Sequence, residues 1–182
     1  MQYVLFNKPY GVLCQFTDSK GRQTLKDFIK IPHVYAAGRL DFDSEGLLFL
    51  TDDGKLNHLI SHPDHKQIKT YWAQVERIPT EEQLAKLRSG VPIKGKLSLP
   101  AEARVIDAPK NLWERPNPIR ERKSVPTTWL EIKIQEGQKH QVRKMTAGAG
   151  LPCLRLIRAA IGPMELGDLK PGEYRLIEKP KL

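Results

Sequence analysis

Cysteine and long apolar runs are scarce in this sequence, and both absences exclude whole classes of protein. Only two cysteines occur in 182 residues, Cys14 and Cys153, and neither has a second cysteine at the spacing of metal ligands. We therefore expect reduced thiols in the cytoplasm. Apolar runs are short, such as Leu47 to Leu50, whereas a membrane-spanning helix needs about 20 apolar residues. No basic segment precedes an apolar stretch at the start of the chain, so we expect neither a membrane protein nor a secreted one.

Acidic residues are fewer than basic ones, and one long stretch of the chain has none. The chain has 30 Lys and Arg against 21 Asp and Glu, a net charge of +9. No acidic residue occurs from Gln138 to Met164, a stretch that holds five Lys and Arg residues and one histidine. Such a charge favours a polyanionic partner and says nothing about the fold. A second basic cluster, 110–123, is interrupted by prolines and predicts a loop, in which Trp113 either pins the loop to the core or stacks on a base. Pinning is favoured.

Short strands and short helices alternate without a regular βαβ pattern, which favours an α+β domain with a mainly antiparallel sheet. Thr80 and Gln83 form a capping-box pattern that begins the clearest helix, and Gly90 follows its last turn. The predicted strands are 3–6, 12–16, 34–37, 47–51, 69–76, 103–106, 128–134, 154–159 and 174–177. The predicted helices are 24–29, 56–61, 80–89 and one between residues 138 and 146.

One loop between predicted strands is rich in side chains that carry out chemistry. Residues 38–46 contain three acids, one arginine and two glycines. Loops held between rigid strands often present catalytic groups, and Leu40 beside Asp41 suggests a carboxylate on an apolar floor. The alternative is a polar turn whose Asp and Ser side chains bind local backbone donors.

Two further clusters carry charged or metal-binding side chains. If residues 138–146 are helical, His140, Arg143 and Lys144 share one face, which would either offer cations to phosphate or remain solvated. The second cluster consists of His58, His62, Asp64 and His65. Its first two histidines have helical ligand spacing, but Pro63 should end the helix and no glutamate lies between them. We predict no metal site.

Taken together, these segments resemble the pseudouridine synthases that modify ribosomal RNA. Five motifs carry the resemblance, and they span nearly the whole chain. They are Asn7-Lys8-Pro9-Tyr10-Gly11, Gly38-Arg39-Leu40-Asp41 with its continuation through Ser44-Glu45-Gly46 to Gly54, Lys69-Thr70-Tyr71, Glu136-Gly137 through His140-Gln141-Val142-Arg143-Lys144-Met145, and Leu156-Ile157-Arg158 with Ile161-Gly162.

The resemblance implies a fold, a reaction and a set of roles. The fold is a mixed, mainly antiparallel sheet flanked by short helices, with an active-site cleft across the sheet. The reaction detaches uracil from C1′ of its ribose and rejoins it through C5, without a cofactor or a metal. Asp41 would attack the sugar or the base, or deprotonate the sugar at C2′. Tyr71 would stack on the flipped uracil and relay a proton, and Arg143 would pair with Asp41. The residues implied to contact the RNA are Arg39, Lys139, His140, Lys144, Leu154, Arg155 and Arg158.

The position of the first motif bears on domain organisation and substrate. It begins within ten residues of Met1, so we expect one catalytic domain over residues 1–182 and no separate RNA-binding domain. This arrangement is similar to family members that act on the large ribosomal subunit, so the predicted substrate is 23S ribosomal RNA and the predicted state is a monomer. Three alternatives remain: a non-catalytic RNA-binding or ribosome-associated module, a synthase acting on another RNA, and a carboxylate-dependent nucleic-acid hydrolase.

Overall fold

The computed structural model describes residues 1–62, 64, 67–119 and 123–182, and it divides the chain into two compact units. Unit 1 comprises Met1–Gln67 and Arg158–Leu182, and unit 2 comprises Ile68–Ile157. Within the described part of the chain, no helix is long and apolar enough to cross a membrane.

The elements are short throughout. The strands are β1 (Tyr3–Lys8), β2 (Tyr35–Ala37), β3 (Glu45–Thr51), β4 (Lys69–Glu76), β5 (Pro92–Ile93), β6 (Lys96–Leu97), β7 (Glu102–Ile106), β8 (Thr127–Ile134), β9 (Cys153–Ile161), β10 (Met164–Glu165) and β11 (Tyr174–Leu176). The helices are α1 (Gly54–Ser61), α2 (Glu81–Ser89) and α3 (Gln141–Gly148), with a short 3-10 helix at Leu25–Asp27.

Unit 1 is built around β3, in which every residue is buried. Strand β1 lies between β3 and β11, and Val4 faces Leu50 on one side and Leu176 on the other. Strand β2 also pairs with β3, with Ala36 opposite Leu50. These pairings are antiparallel. A core that includes the fully buried Phe6 and Leu25 packs against them. A strand buried on both faces is apolar throughout rather than alternating, as residues 47–50 are.

Unit 2 contains an antiparallel ladder of β4, β8 and β7, in which Ile132 faces Tyr71 on one side and Ala103 on the other. Alternate residues of β8 enter the core of this unit. Helix α2 begins at a capping box, in which Gln83 N–H donates to Thr80 Oγ1 at 3.1 Å and Thr80 N–H to Gln83 Oε1 at 3.0 Å. This is the cap that the sequence predicts, and its mutual hydrogen bonds satisfy donors that a helix start leaves open.

The predicted α+β class with a mainly antiparallel sheet is confirmed, but the strand predicted over 12–16 is wrong. Leu13 forms an isolated bridge with Thr24 instead. Gly11, at φ +78°, turns the chain away from β1, and Leu13 N–H donates to Gln23 O at 2.9 Å. The alternating apolar residues there, Val12 and Cys14, pack into the unit 1 core from a loop. The two-residue strands β5, β6 and β10 were not predicted, because elements this short leave no periodic signal.

Gly46 allows two strands of unit 1 to approach closely. Its φ is +108°, and a Cβ there would collide with the backbone nitrogen and oxygen of Arg158 on β9. We expect Gly46→Ala to lower the free energy of unfolding by about 2 to 4 kcal/mol, through backbone strain and displacement of β9. The urea midpoint measures this.

Gly54→Ala is the matched control, since a Cβ at Gly54 meets nothing within 4 Å and its φ is not positive. Its free energy of unfolding should stay within about 0.5 kcal/mol of the wild-type value. Equal midpoints for the two variants would contradict the packing role of Gly46.

Candidate active site

The loop between β2 and β3 presents Asp41 at the edge of unit 1. Leu40 is 5% exposed, while Asp41 is half-buried. The flanking Arg39 and Phe42 are exposed. Ser44 N–H donates to Asp41 O at 3.1 Å and closes the turn. The loop therefore presents two half-buried carboxylates, Asp41 and Asp43, and the exposed side chains of Arg39 and Phe42 flank Asp41.

Arg158 fixes the beginning of this loop. It lies on β9 and is 2% exposed, and its guanidinium donates hydrogen bonds to two backbone carbonyls. Nε donates to Leu47 O at 2.9 Å and Nη2 donates to Gly38 O at 2.8 Å. Because both acceptors belong to the segment that carries Asp41, Arg158 ties the loop to buried strand β3. Charge-assisted hydrogen bonds of this kind are stronger than neutral ones.

Lys8 holds the loop at Phe42, the residue after Asp41. Its side chain is completely buried, and Nζ donates to Val12 O at 2.8 Å, to Pro9 O at 2.9 Å and, at the longer distance of 3.4 Å, to Phe42 O. Phe42 O also accepts from Gly11 N–H at 2.9 Å. The first sequence motif is thus the support on which the Asp41 loop rests.

The buried ammonium of Lys8 lies in the field of the acidic loop. Burial lowers the pKa of Lys8 to about 8, and electrostatic interactions with Cys14, Glu45, Asp43 and Asp41 oppose this lowering. The lysine and the loop carboxylates therefore stabilise one another electrostatically. Sequence reasoning missed this role. Lys8 was noticed as part of a motif, but a lysine in a sequence carries no signal of burial.

Tyr71 and Arg143 both belong to unit 2. Tyr71 lies on β4, is half-buried, and packs against the core of this unit. Arg143 is the third residue of α3 and is half-buried, whereas Val142 and Met145 on the same helix are buried. Val142 and Met145 form the predicted apolar face, and Arg143 and Lys144 remain partly accessible. His140, predicted on the same helical face as these two cations, instead precedes the helix.

A network around Glu136 braces the entry to α3. Its carboxylate accepts from Leu99 N–H at 2.7 Å, from Gln141 Nε2 at 2.9 Å and from Gln138 Nε2 at 3.2 Å. Burial acts to raise the pKa of Glu136, but these hydrogen bonds outweigh it and the pKa is lowered overall. His140 precedes the helix with φ +57°. The network holds the turn that leads into the helix of Arg143. Glu136 and Gln141 belong to a sequence motif, but the sequence did not indicate this hydrogen-bonding role.

The residues predicted to contact RNA divide into accessible and buried ones. Arg39 and Lys139 are exposed, whereas His140, Lys144 and Leu154 are half-buried.

Arg155 and Arg158 are only 4% and 2% exposed. Arg155 Nη2 donates to Trp113 O at 2.9 Å, and its guanidinium lies 5.7 Å from the Trp113 ring centroid. Since both arginines direct hydrogen bonds to backbone carbonyls, we no longer assign them to phosphates. The contact also supports the pinning role of Trp113.

The histidine cluster contains no recognisable metal centre in the described residues. The rings of His58 and His62 lie 4.6 Å apart, and His62 Nδ1 lies 3.6 Å from Asp64 Oδ2. No group of three or more His, Cys, Asp or Glu side chains suited to a metal occurs in the part of the chain that the structure describes. Pro63 and His65 of this cluster, and Arg120 and Arg122 of the second basic cluster, lie outside the described residues.

The low pKa of Lys8 predicts a pH dependence of stability. The folded-state pKa is about 8 against an ordinary 10.5, so the unfolded chain binds more protons between these values and stability rises with pH there. We expect the free energy of unfolding of wild type, relative to Lys8→Met, to rise by about 3 kcal/mol from pH 7.5 to 10.5. Urea unfolding of both proteins at each pH measures the difference. A difference that stays constant or falls would contradict the burial of a charged Lys8.

Comparison with known proteins finds similarity to pseudouridine synthases. A family model described as RNA pseudouridylate synthase matches residues 2–148. A protein of Vibrio vulnificus (strain CMCP6), named ribosomal large subunit pseudouridine synthase E, is 55% identical over 177 residues, which cover 97% of this chain and 75% of the relative. A protein of the same name from Xanthomonas campestris pv. campestris is 53% identical over 95% of this chain and 94% of its own length. A crystal structure of a pseudouridylate synthase has a TM-score of 0.80 and 31% identity, covering 97% of this chain and 70% of that one.

Proposed function

The chain belongs to the RNA pseudouridylate synthase family, and we propose that it converts a specific uridine of 23S ribosomal RNA to pseudouridine. The proposed substrate rests on one observation. More than half of the aligned residues are identical, over nearly the whole chain, to those of proteins named ribosomal large subunit pseudouridine synthase E. The family makes the protein an isomerase. An RNA outside the large subunit is the alternative substrate.

We assign the central chemical role to Asp41. The isomerisation needs a group that acts on the sugar or the base while the glycosidic bond is broken, and a carboxylate supplies a nucleophile or a base. The clamp formed by Lys8 and Arg158 supports this assignment, because it immobilises the loop on both sides of Asp41 and leaves the carboxylate half-buried. Attack on the sugar, attack on the base and deprotonation at C2′ all remain open routes.

We assign supporting roles to Tyr71 and Arg143. A uridine inside a helix cannot reach a carboxylate on the protein, so the nucleotide must be flipped out of its stack. Tyr71 would stack on the flipped uracil, and its hydroxyl would relay the proton lost from C5. Arg143 would pair with Asp41, for which a guanidinium is suited by its two parallel donors. The Glu136 network supports this role by fixing the helix start on which Arg143 lies.

Accessible cations would hold the RNA backbone. Arg39, next to Asp41, would fill the vacated stack or bind a phosphate. Lys139, His140 and Lys144 would bind phosphates, which positions RNA without reading its sequence, and Leu154 would form an apolar floor under the base. We further propose that residues 1–182 act as one monomeric catalytic domain and that the enzyme works in the cytoplasm, where ribosomal RNA is made and modified.

Asp41→Asn should abolish the reaction. We expect tritium release from RNA labelled at uridine C5 to fall by about 1,000-fold or more, since the amide is neither a nucleophile nor a base. Asp43→Asn is the matched control, because Asp43 lies in the same loop and also contributes to the field at Lys8. It should keep activity within about tenfold of wild type. Equal release by wild type and Asp41→Asn would contradict the proposal, as would RNA cleavage, which would indicate a hydrolase.

Arg143→Lys tests the pairing role separately from charge. The lysine keeps the positive charge but cannot hold a carboxylate with two parallel hydrogen bonds. We expect kcat to fall by about 10 to 100-fold with KM nearly unchanged. The control is Lys144→Ala, which should raise KM and weaken its salt dependence while leaving kcat near wild type. A selective effect of Arg143→Lys on KM would show that Arg143 binds phosphate instead.

A further inference from the structure

We infer that a surface centred on Tyr35 is a second RNA-binding surface, which holds unpaired nucleotides flanking the target uridine. The inference rests on the proposed function only in taking RNA as the substrate. Tyr35 begins β2 in unit 1 and is 63% exposed. An aromatic ring so accessible is unexpected, because rings of this size contribute most to stability when buried.

Tyr35 forms a ridge between two grooves. One groove, of about 480 Å³, runs along the segment that leads into β2. The other, of about 380 Å³, lies against helix α1 and is lined by Asn57 and His58. His33 and Tyr35 line both. Asn57 Nδ2 lies within 3.4 Å of both Tyr35 O and Ala36 O, so the helix holds the backbone beneath the ridge. The ring is thus exposed on a backbone that is itself supported.

The chemistry of the first groove fits single-stranded nucleic acid. Its lining combines apolar and aromatic walls, including Phe16 and Ile31, with Lys26 and Lys30, and among the described residues that line it there is no carboxylate. Lys30 Nζ donates to Lys26 O at 2.9 Å, which holds one ammonium at the groove. Ring faces that stack on bases, beside cations that follow a phosphate chain, are how proteins bind single strands. The charge of this first groove complements RNA, whereas the second groove contains one carboxylate, Asp52. We therefore place the phosphate chain along the first groove and commit to RNA as the occupant.

The chain places this surface near Asp41. Both belong to unit 1, and Asp41 lies six positions after Tyr35, so their Cα atoms lie no more than about 21 Å apart. That distance corresponds to a few nucleotides. RNA bound at the Asp41 loop would therefore reach Tyr35 with nucleotides next to the target.

Tyr35→Ala tests the surface when assayed on two RNAs. One RNA carries the target uridine with single-stranded flanks, and the other is trimmed to the shortest RNA on which wild type is active. On the flanked RNA we expect KM and the fluorescence-measured Kd to rise by about tenfold, the loss typical of one stacked base, with kcat unchanged. On the trimmed RNA the variant should match wild type. Tyr35→Phe should restore affinity, because it keeps the ring face.

Two further variants separate stacking from charge and from general loss of an aromatic ring. Lys26→Ala with Lys30→Ala should reduce the slope of log affinity against log salt by about 1.4, the value for two phosphate contacts on a single strand. Tyr174→Ala removes another exposed tyrosine of unit 1, 37% accessible and on β11, and should leave both RNAs unaffected.

Three results would overturn the inference. One is unchanged affinity of Tyr35→Ala for the flanked RNA, and another is an equal loss on both RNAs. The third is unchanged RNA affinity together with binding of a polyglutamate peptide that Tyr35→Ala abolishes, which would identify an acidic protein as the occupant. Since Kd is measured without turnover, failure of the proposed isomerisation would appear separately, as absence of tritium release by wild type.

Discussion

The arrangement of unit 1 depends on the hydrogen bonds of one buried side chain, Lys8, to the turn after β1 and to the Asp41 loop. Burying an isolated ammonium is costly, and the lowered pKa of about 8 reports that cost. Carbonyl acceptors from Val12, Pro9 and Phe42 and the carboxylates of the loop offset it. Because the acceptors come from both sides of the turn after β1 and from the Asp41 loop, one side chain connects the first motif to the second. The conformation of the loop that presents Asp41 is in this way coupled to the protonation of a lysine.

The second constraint is the close packing beside β3. Gly46 admits the backbone of Arg158, and the Arg158 guanidinium then binds the carbonyls of Gly38 and Leu47. Asp41 is consequently held between an arginine that fixes one end of the loop and a lysine that fixes the other. For a reaction in which bonds are broken and remade at one nucleotide, such positioning contributes by keeping the carboxylate in place before the substrate arrives.

Much of this could be predicted from the sequence, and the failures have physical reasons. Strand β4 was predicted with its observed bounds, and the capping box of Thr80 was recognised, because both have local sequence signals. Asp41 was noticed because acids and glycines cluster between strands. Whether a given lysine or arginine side chain is buried could not be predicted in the same way. Lys8, Arg155 and Arg158 are buried, and each donates a hydrogen bond to a backbone carbonyl more than 30 residues away. Composition cannot distinguish such cations from those that contact RNA.

The most direct test of the account is to map pseudouridine across 23S ribosomal RNA from cells that lack this protein. We expect one site to change from pseudouridine to uridine, and we expect wild-type protein to restore it while Asp41→Asn does not. A complete set of pseudouridines in the deletion strain would contradict the proposed substrate. Restoration by Asp41→Asn would contradict the role given to the loop that Lys8 and Arg158 hold in place.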